Sequence, residues 1–217
     1  MDDPSEPGAV VARGAEAQIA RVEWLGLGAL RKDRDSKGYR PKALDDRLRR
    51  DRTRNEVRLL AEARRLGVRT PIVYDVDLPH HRIVLEELPG PTLKDLLETA
   101  PGGPVELAGA VRAFGRALGR LHAGGISHGD LTSSNVLYPE GPGGPPALLD
   151  LSMGERCAGL EEKGIDLHLV EEDLLGLSPR GAELFRDFLT GYAEGNLADS
   201  SAVVERARAI KGRMRYV

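Results

Sequence analysis

At residues 86–91 the hydrophobic pattern of this 217-residue chain changes from one period to another. Before this segment, apolar residues alternate loosely over residues 10–32 and again in two short runs, 72–77 and 82–85, which predicts strands. After it, apolar residues recur mainly at helical spacing. Proline and glycine at the end of the segment stop either pattern from running through it. Strands followed by helices predict an α+β fold in two lobes.

One long helix is predicted within the strand-rich part, over residues 44–66. Its leucine and alanine residues form a stripe, Gly67 follows as a stop signal, and Pro71 lies just beyond. The strongest helical pattern of the second part covers residues 105–122. Shorter elements are predicted around it, namely helices over 93–99, 164–175, 179–193 and 202–211, and strands over 136–138 and 147–149.

These elements divide the chain into a tail (1–8), a first lobe (9–85), a connecting segment (86–91) and a second lobe (92–217). The tail is acidic and rich in proline, so we expect it to be disordered. The first lobe is predicted to hold an antiparallel sheet and one main helix. The second is predicted to be helical, with a basic C-terminal helix or tail.

Composition excludes several classes of protein. Aromatic residues make up only 4% of the chain, which favours an aliphatic, helix-rich core over a β-sandwich. Cys157 is the single cysteine, so an intramolecular disulfide and a cysteine-rich zinc site are both excluded. No apolar run reaches the roughly 18 residues of a membrane span. With no recognisable signal peptide, these features suit a reducing compartment, and we expect a cytoplasmic protein without membrane contact.

Positive charge is concentrated in residues 31–54. The segment holds eleven basic residues against five aspartates, a local charge of +6 in a chain whose net charge is −3. Residues 206–215 are basic again. Two such segments suggest a polyanionic partner, and a solvated helix face with mixed charges is an equally good interpretation.

Three polar side chains near the middle of the chain form a pattern that suits phosphoryl transfer. Asp130 follows His128 and Gly129, Asn135 comes five residues later, and Asp150 ends the next apolar run. A carboxylate such as that of Asp130 can orient or deprotonate an attacking hydroxyl. Oxygens of Asn135 and Asp150, brought together across a hairpin, can bind Mg2+.

A single loop aspartate more often caps a helix or closes an Asx turn than takes part in chemistry. Here His-Gly-Asp is followed by Asn and then by an apolar strand that ends in Asp, an ordered combination that rarely arises by chance. We therefore interpret Asp130, Asn135 and Asp150 as a phosphoryl-transfer site.

Residues 128–135 resemble the catalytic loop of kinase-like folds, in the His-Gly-Asp form of atypical kinases. Upstream residues narrow the resemblance to the small atypical serine/threonine kinase and ATPase of the KEOPS complex, the PRPK-like family. The residues that match this family's pattern are Lys37, Gly38, Tyr39, Arg40, Leu44, Asp45, Arg49, Arg52, Thr53 and Glu56. The resemblance covers nearly the whole chain, from about Val11 to the basic C-terminus.

This resemblance implies a small bilobal protein-kinase-like fold with a reduced C-lobe, in which residues 86–91 are the hinge. It implies an ATP- and Mg2+-dependent serine/threonine protein kinase or ATPase. The enzyme would act in the KEOPS complex, which supports threonylcarbamoyl-adenosine modification of tRNA. Expected partners are the other KEOPS subunits, especially the threonylcarbamoyl-transferase subunit, and tRNA through the basic segments.

The resemblance also assigns roles around the nucleotide. Lys32 takes the place of the strand lysine that contacts the α- and β-phosphates, and joins Asp130 as a catalytic residue. Glu56 matches the helix glutamate that pairs with this lysine. From the residues alone, an exposed strand-end lysine is the better interpretation of Lys32, and a surface ion pair with Arg52 is the alternative for Glu56.

Four further residues complete the implied nucleotide site. Gly14 and Glu16 stand where a glycine-rich loop would cover the phosphates. Glu86 and Leu88, in the hinge, would offer backbone groups to adenine.

The chain departs from the kinase pattern in three places. Leu-Ser rather than Phe-Gly follows Asp150, so conformational switching there is less expected. Gly129 replaces the arginine that binds a phosphorylated activation loop in ordinary protein kinases. Arg31 stands where an apolar strand residue is expected, so that edge of the lobe should be exposed or face a partner.

The sequence has two alternative functional interpretations. A small-molecule phosphotransferase would use the same His-Gly-Asp, Asn and Asp residues, but the pattern over 37–56 argues against it. A catalytically weak scaffold is the second, and the intact set of Lys32, Asp130, Asn135 and Asp150 argues against that. The short stretch after Asp150 leaves little material for docking peptides, which favours an ATPase or a kinase with a dedicated partner.

Overall fold

A computed structural model describes residues 9–14, 17–99 and 103–214 of the chain. For Met214 it describes the backbone but not the side chain. The fold is α+β, with a sheet in the first part and helices in the second, so the predicted fold class is confirmed. The tail predicted for residues 1–8 lies outside the described residues.

The sheet of the first lobe has five antiparallel strands in the order β1-β2-β3-β5-β4. They are β1 (Ala9–Arg13), β2 (Gln18–Trp24), β3 (Leu27–Asp33), β4 (Val73–Asp77) and β5 (Arg82–Glu86). Leu25 and Gly26 join β2 to β3, with φ angles of 50° and 80°. Positive φ at both positions matches the right-handed twist of the hairpin. The turn pairs β3 with β2 on one side, and β5 pairs with β3 on the other, so β3 is a central strand of the sheet.

Helices make up most of the remaining structure. They are α1 (Lys42–Arg65), α2 (Leu93–Thr99), α3 (Gly103–Ala123), α4 (Leu160–Leu177), α5 (Gly181–Gly195) and α6 (Ser200–Met214). A 3-10 turn (Ser133–Asn135) leads into the short hairpin of β6 (Val136–Leu137) and β7 (Ala147–Leu148). Every helix and strand predicted from the pattern is present within a few residues of its expected bounds.

Helix α1 is buried along a face that differs from the predicted apolar stripe. Leu59, Leu60 and Ala63 are in the core as expected. Leu44 and Leu66 are 48% and 37% exposed, so their assignment to the stripe is wrong. From the start of the helix to Glu56 the buried positions are polar instead, namely Asp45, Thr53 and Glu56. Asp45 and Thr53 make hydrogen bonds to the preceding loop and to Arg49 of the same helix, and Glu56 pairs with Lys32 of β3.

The main core lies among the helices of the second lobe and extends to the inner half of α1. Its tightest contact joins α3 and α5, which meet through glycines on both sides, namely Gly115, Gly119, Gly191 and Gly195. A Cβ atom at Gly115 would lie 2.1 Å from the carbonyl oxygen of Phe188, and one at Gly191 would lie 1.9 Å from that of Arg112. The two backbones are therefore in direct contact, and no side chain fits between them at these points.

The connection between the lobes runs from the end of β5 at Glu86 to the start of α2 at Leu93. The boundaries of the lobes and of the hinge at residues 86–91 stay predictions. Among the described residues, no helix is both long enough and apolar enough to cross a bilayer.

Candidate active site

The loop that carries Asp130 is fixed by a buried carboxylate from α4. Asp166 is fully buried, and its two oxygens accept hydrogen bonds from the backbone N–H groups of His128 at 2.6 Å and Gly129 at 2.8 Å. Burial alone would raise the pKa of Asp166, but the hydrogen bond from His122 and those from the loop hold it below its usual range. An ionised carboxylate thus anchors the backbone immediately before Asp130.

His128 links this loop to the hairpin that follows it. Its Nε2 atom lies 2.9 Å from the carbonyl oxygen of Leu149, which directly precedes Asp150. The side chain of His128 is buried, with no exposed surface. His128 is therefore a structural hydrogen-bonding residue of this loop.

Asn135 and Asp150 lie side by side at the end of the β6–β7 hairpin, as the spacing predicts. The N–H of Leu149 donates to the carbonyl oxygen of Asn135 at 2.9 Å. The Asn135 side-chain amide donates from Nδ2 to the backbone oxygen of Asp130 at 2.9 Å, which leaves its Oδ1 as an acceptor. Asp150 has a φ of 53°, a left-handed conformation that is uncommon for residues other than glycine.

Lys32 and Glu56 meet in the first lobe, and Asp150 joins them from the second. Lys32 Nζ lies 2.8 Å from Glu56 Oε1 and 2.9 Å from Asp150 Oδ1. Lys32 and Glu56 are only 5% and 1% exposed. Interpretations of Lys32 as an exposed strand-end lysine and of Glu56 as a surface partner of Arg52 are therefore wrong. Arg34, which no pattern singled out, forms a second ion pair with Glu56.

The charge of Asp150 is stabilised by its neighbours. Burial would raise its pKa, but the ammonium of Lys32 and a hydrogen bond from the side chain of Ser152 outweigh that effect and hold the pKa well below its usual range. The carboxyl group is therefore ionised at neutral pH, as an oxygen ligand for a cation must be.

A cleft of about 760 Å³ separates the lobes, and most of the predicted site residues line it. Gly14, Lys32, Asp130, Asn135 and Asp150 all line it. Its other charged residues are arginines of the first lobe, namely Arg13, Arg34 and Arg52. The cleft thus has cations on one wall and carboxylates with an amide on the other.

Two predicted residues, Glu86 and Leu88, are not among those that line this cleft. Glu86 lines a separate cavity with Arg64 and Arg69, and its carboxylate accepts a hydrogen bond from the N–H of Ile72 at 3.0 Å. Any adenine contact would have to use its backbone. Leu88 is buried, at 9% exposure, and its contact with adenine also stays a prediction. Glu16 lies outside the described residues.

The oxygen atoms near Asp150 suit Mg2+ better than a tightly chelated metal. Within the described residues, no group of three or more histidine, cysteine, aspartate or glutamate side chains could hold a metal ion. Asp150 and Asn135 present two hard oxygen atoms to the cleft. Mg2+ is usually bound by one or two protein oxygens together with water and substrate phosphates, so the residues present fit this ion.

Several residues that shape the site were not identified by sequence reasoning. Asp173 accepts a hydrogen bond from the N–H of Ser133 at 2.6 Å, and so anchors the far end of the loop that Asp166 anchors at its start. The two aspartates are seven residues apart, two turns along one face of α4, which is a signal that the sequence does contain. Asn55 on α1 donates to the carbonyl oxygens of Ser152 and Gly154 and so ties the segment after Asp150 to the first lobe.

Arg31 does not lie at an exposed edge, and that prediction is wrong. β3 is paired on both sides, and Arg31 is only 7% exposed. Its Nε lies 2.7 Å from Asp33 Oδ2, and Arg82 contacts the other oxygen of Asp33 at 2.6 Å. Ion pairing within one face of the sheet explains why a charged residue is tolerated there.

The basic segment 31–54 is partly neutralised by its own aspartates. Asp45 is buried and accepts hydrogen bonds from Ser36 Oγ at 3.0 Å, from the N–H of Lys37 at 3.3 Å and from Arg49 Nε at 2.9 Å. Much of the pattern over residues 37–49 therefore serves to fold the loop before α1. This loop leaves Tyr39 78% exposed.

Comparisons with known proteins were made for sequence and for structure. No protein-family model matches the chain. The chain is 37% identical over 211 residues to a "probable bifunctional tRNA threonylcarbamoyladenosine biosynthesis protein" of Methanothermobacter thermautotrophicus, covering 97% of this chain and 37% of that protein. It is 39% identical over 212 residues to a protein of the same description from Halobacterium salinarum, covering 97% and 36%. The chain thus spans little more than a third of these relatives' length.

A relative of similar length is the KEOPS complex subunit Bud32 of Pyrococcus abyssi. It is 35% identical over 215 residues, which cover 95% of this chain and 96% of that protein. Among solved structures, WaaP in complex with acyl carrier protein has a TM-score of 0.64 at 20% sequence identity, covering 97% of this chain and 87% of that chain. This likeness shows that the fold is kinase-like.

Proposed function

The chain belongs to the family of the KEOPS complex subunit Bud32, and from this we propose that it is an ATP- and Mg2+-dependent phosphotransferase, either a kinase or an ATPase. The observation that carries the proposal is the single cleft lined by Lys32, Asp130, Asn135 and Asp150. These four residues come from three distant parts of the chain, and they bring a cation, a carboxylate and two oxygen ligands to one place.

Each residue has a task that phosphoryl transfer requires. Lys32 neutralises the α- and β-phosphates of the nucleotide, and Glu56 keeps its ammonium in position. Asp130 accepts a hydrogen bond from the attacking hydroxyl or water and orients it toward the γ-phosphate. Asn135 and Asp150 would hold Mg2+, which would supply positive charge to neutralise the phosphates. Asp166 fixes the backbone before Asp130 and so positions that carboxylate.

The serine/threonine specificity and the place of action are the finer parts of the proposal. We expect the protein to phosphorylate serine, including its own, and to hydrolyse ATP. In the cell it would act in the cytoplasm as a KEOPS subunit, beside the threonylcarbamoyl-transferase subunit, and support threonylcarbamoyl-adenosine modification of tRNA. The names of the relatives support this role.

ATP turnover by the purified protein tests the proposal. Release of phosphate should require Mg2+, and it should change when the transferase subunit and tRNA are added. Activity on a small alcohol at rates far above the ATPase rate would instead identify a small-molecule phosphotransferase. If ATP and Mg2+ produce no heat of binding in calorimetry, the protein is a scaffold.

A further inference from the structure

Three buried charges and one partly exposed charge meet in the cleft. Lys32, Arg34 and Glu56 are 5%, 5% and 1% exposed, and Asp150 completes the cluster from the opposite wall. Two cations face two carboxylates, so the cluster is neutral as a whole. Charges at this depth are costly unless each has a partner.

The partners are not shared equally. Lys32 contacts both carboxylates, with Nζ at 2.8 Å from Glu56 and 2.9 Å from Asp150. Glu56 contacts both cations, through Oε1 to Lys32 and through Oε2 to the Nη2 atom of Arg34. The guanidinium of Arg34 has its ion pair with Glu56 alone, and its buried Nε has no hydrogen-bond partner among the described residues.

The backbone of Arg34 is fixed on both sides. Its N–H donates to the carbonyl oxygen of His81 at 3.2 Å, and its own carbonyl oxygen accepts from Arg49 at 3.3 Å. The side chain is only 2% exposed, so the guanidinium has little freedom to leave Glu56. An arginine is also charged at any pH at which the protein is folded.

We infer that Arg34 is a positioning residue that compensates Glu56 permanently, so that Lys32 can exchange its contact with Asp150 for a phosphate oxygen. The inference rests on the proposed nucleotide site. Without Arg34, the ammonium of Lys32 would be the sole counter-charge of a buried carboxylate and would be held more tightly by it. Its attraction for phosphate would fall as a result.

Binding of ligands with and without phosphate separates this role from a merely structural one. We would measure the affinities of MgATP, ADP and adenosine by calorimetry for the wild type, Arg34→Gln and Arg34→Lys. Arg34→Gln should weaken ATP and ADP by about tenfold or more, since a hydrogen bond to a charged group is at stake, and should change adenosine by less than about twofold. Arg34→Lys, which keeps the charge, should recover part of the loss.

Arg31→Gln is the matched control. Arg31 lies in the same strand with similar burial, at 7%, but pairs with Asp33 rather than Glu56. This variant should bind all three ligands as the wild type does. The inference is overturned if Arg34→Gln matches the control, or if adenosine weakens as much as ATP. If the wild type itself does not bind MgATP, the proposed function fails instead.

A second measurement needs no nucleotide. The denaturant midpoints of Lys32→Met, Arg34→Met and the double variant are compared. Each single variant leaves Glu56 one cation, whereas the double variant leaves it none, so the double shift should exceed the sum of the single shifts. Adding Glu56→Gln to the double variant should restore much of the loss. Additive shifts would mean that Glu56 is not shared, and the inference would be wrong.

Discussion

Asp150 combines an unusual backbone conformation with a polar task. Its φ is 53°, and the carbonyl of Leu149 immediately before it is bound by His128. Such strain persists only where the surroundings enforce it, and it is often found at functional sites. Here it aims the carboxylate at Lys32 and into the cleft rather than along the strand.

The first prediction concerns Asp150→Asn. The amide keeps the shape of the side chain but loses the charge that would bind Mg2+, so metal-dependent ATP turnover should fall on the order of a hundredfold or more. The protein should still fold because the site is a cleft and not the core, but its melting temperature should fall since the ion pair with Lys32 is lost. Asp33→Asn, in the same region but outside the cleft lining, should retain turnover. Unchanged ATP hydrolysis in Asp150→Asn would exclude the metal role.

The second prediction concerns Gly129, where ordinary kinases have an arginine. Its φ is 81°, and a Cβ atom would lie 2.2 Å from the carbonyl oxygen of Met153. Gly129→Ala should therefore destabilise the protein by about 1–2 kcal/mol from conformation alone, and more from the clash. Gly109→Ala in α3, where a Cβ meets nothing within 4 Å, should be neutral or stabilising. Chemical denaturation of both variants distinguishes these outcomes.

The sequence reveals some site residues and hides others for a physical reason. Asp130, Asn135 and Asp150 stand at fixed spacings within one loop and one hairpin, so a local pattern identifies them. Arg34 and Asp166 act on partners 22 and 38 residues away, which only the folded chain brings near. Nothing in the local sequence of a buried charge states which distant group will neutralise it.

At the scale of elements, α4 fixes the catalytic loop and is itself fixed by α3 and α5. His122 at the end of α3 contacts Asp166 on α4 at 3.1 Å and the hydroxyl of Tyr192 on α5 at 2.8 Å. Asn196, just after α5, donates to the same hydroxyl at 3.1 Å. One buried polar network therefore joins three helices to the loop that carries Asp130.

The third prediction tests this network through Asp166→Asn. The variant loses the charge that accepts two backbone N–H groups and His122, so unfolding should cost on the order of 3 kcal/mol less. ATP turnover should also fall, because the loop before Asp130 loses its anchor. Glu172→Gln removes the same charge from an exposed position of α4 and should have neither effect. Equal stability of the two variants in denaturation would contradict the anchoring role.

The fourth prediction concerns pH and His122. Complete burial lowers the pKa of this imidazole below its ordinary value of 6.5, despite the opposing effect of Asp166. As pH falls below about 6.5, the unfolded chain binds a proton that the folded protein does not, so stability declines by up to about 1.4 kcal/mol per pH unit. In His122→Gln this part of the decline should disappear. Melting temperatures between pH 7 and pH 5 provide the measurement, and parallel curves for both proteins would refute the assignment.

The order of helices and strands could be predicted because each has a clear period, whereas their packing could not. The predicted stripe on α1 is wrong at Leu44 and Leu66, which are exposed, because the buried positions before Leu59 are the polar residues Asp45, Thr53 and Glu56. The contact of α3 with α5 was also not predicted from the sequence. Glycines such as Gly115 and Gly191 weaken a helical pattern, and only the packed pair shows why they are needed.

At the scale of the whole molecule, the charge of residues 31–54 divides into paired and unpaired parts. Arg49 and Arg50 form ion pairs with Asp45 and Asp46 at 2.9 and 3.0 Å. Among the described residues, Lys37, Lys42 and Arg54 have no ion pair and so remain available to an external anion. These three are the cations that we expect to contact tRNA phosphates.

The fifth prediction follows from this division. Replacing Lys37, Lys42 and Arg54 by Gln should weaken tRNA binding, and each change should reduce the slope of log affinity against log salt by about one. Arg49→Gln should instead lower stability and leave the slope unchanged. Filter binding over a salt series measures both. A triple variant with the wild-type slope would exclude this surface as the tRNA contact.

Helices that contact each other through side chains can shift relative to one another, because each side chain can change rotamer. Where α3 and α5 meet, the contact is between main-chain atoms, so no rotamer change can accommodate a shift there. The two helices should therefore move together as one rigid unit. A displacement of α5 would therefore be transmitted through Tyr192 and His122 to Asp166, and so to the loop that carries Asp130.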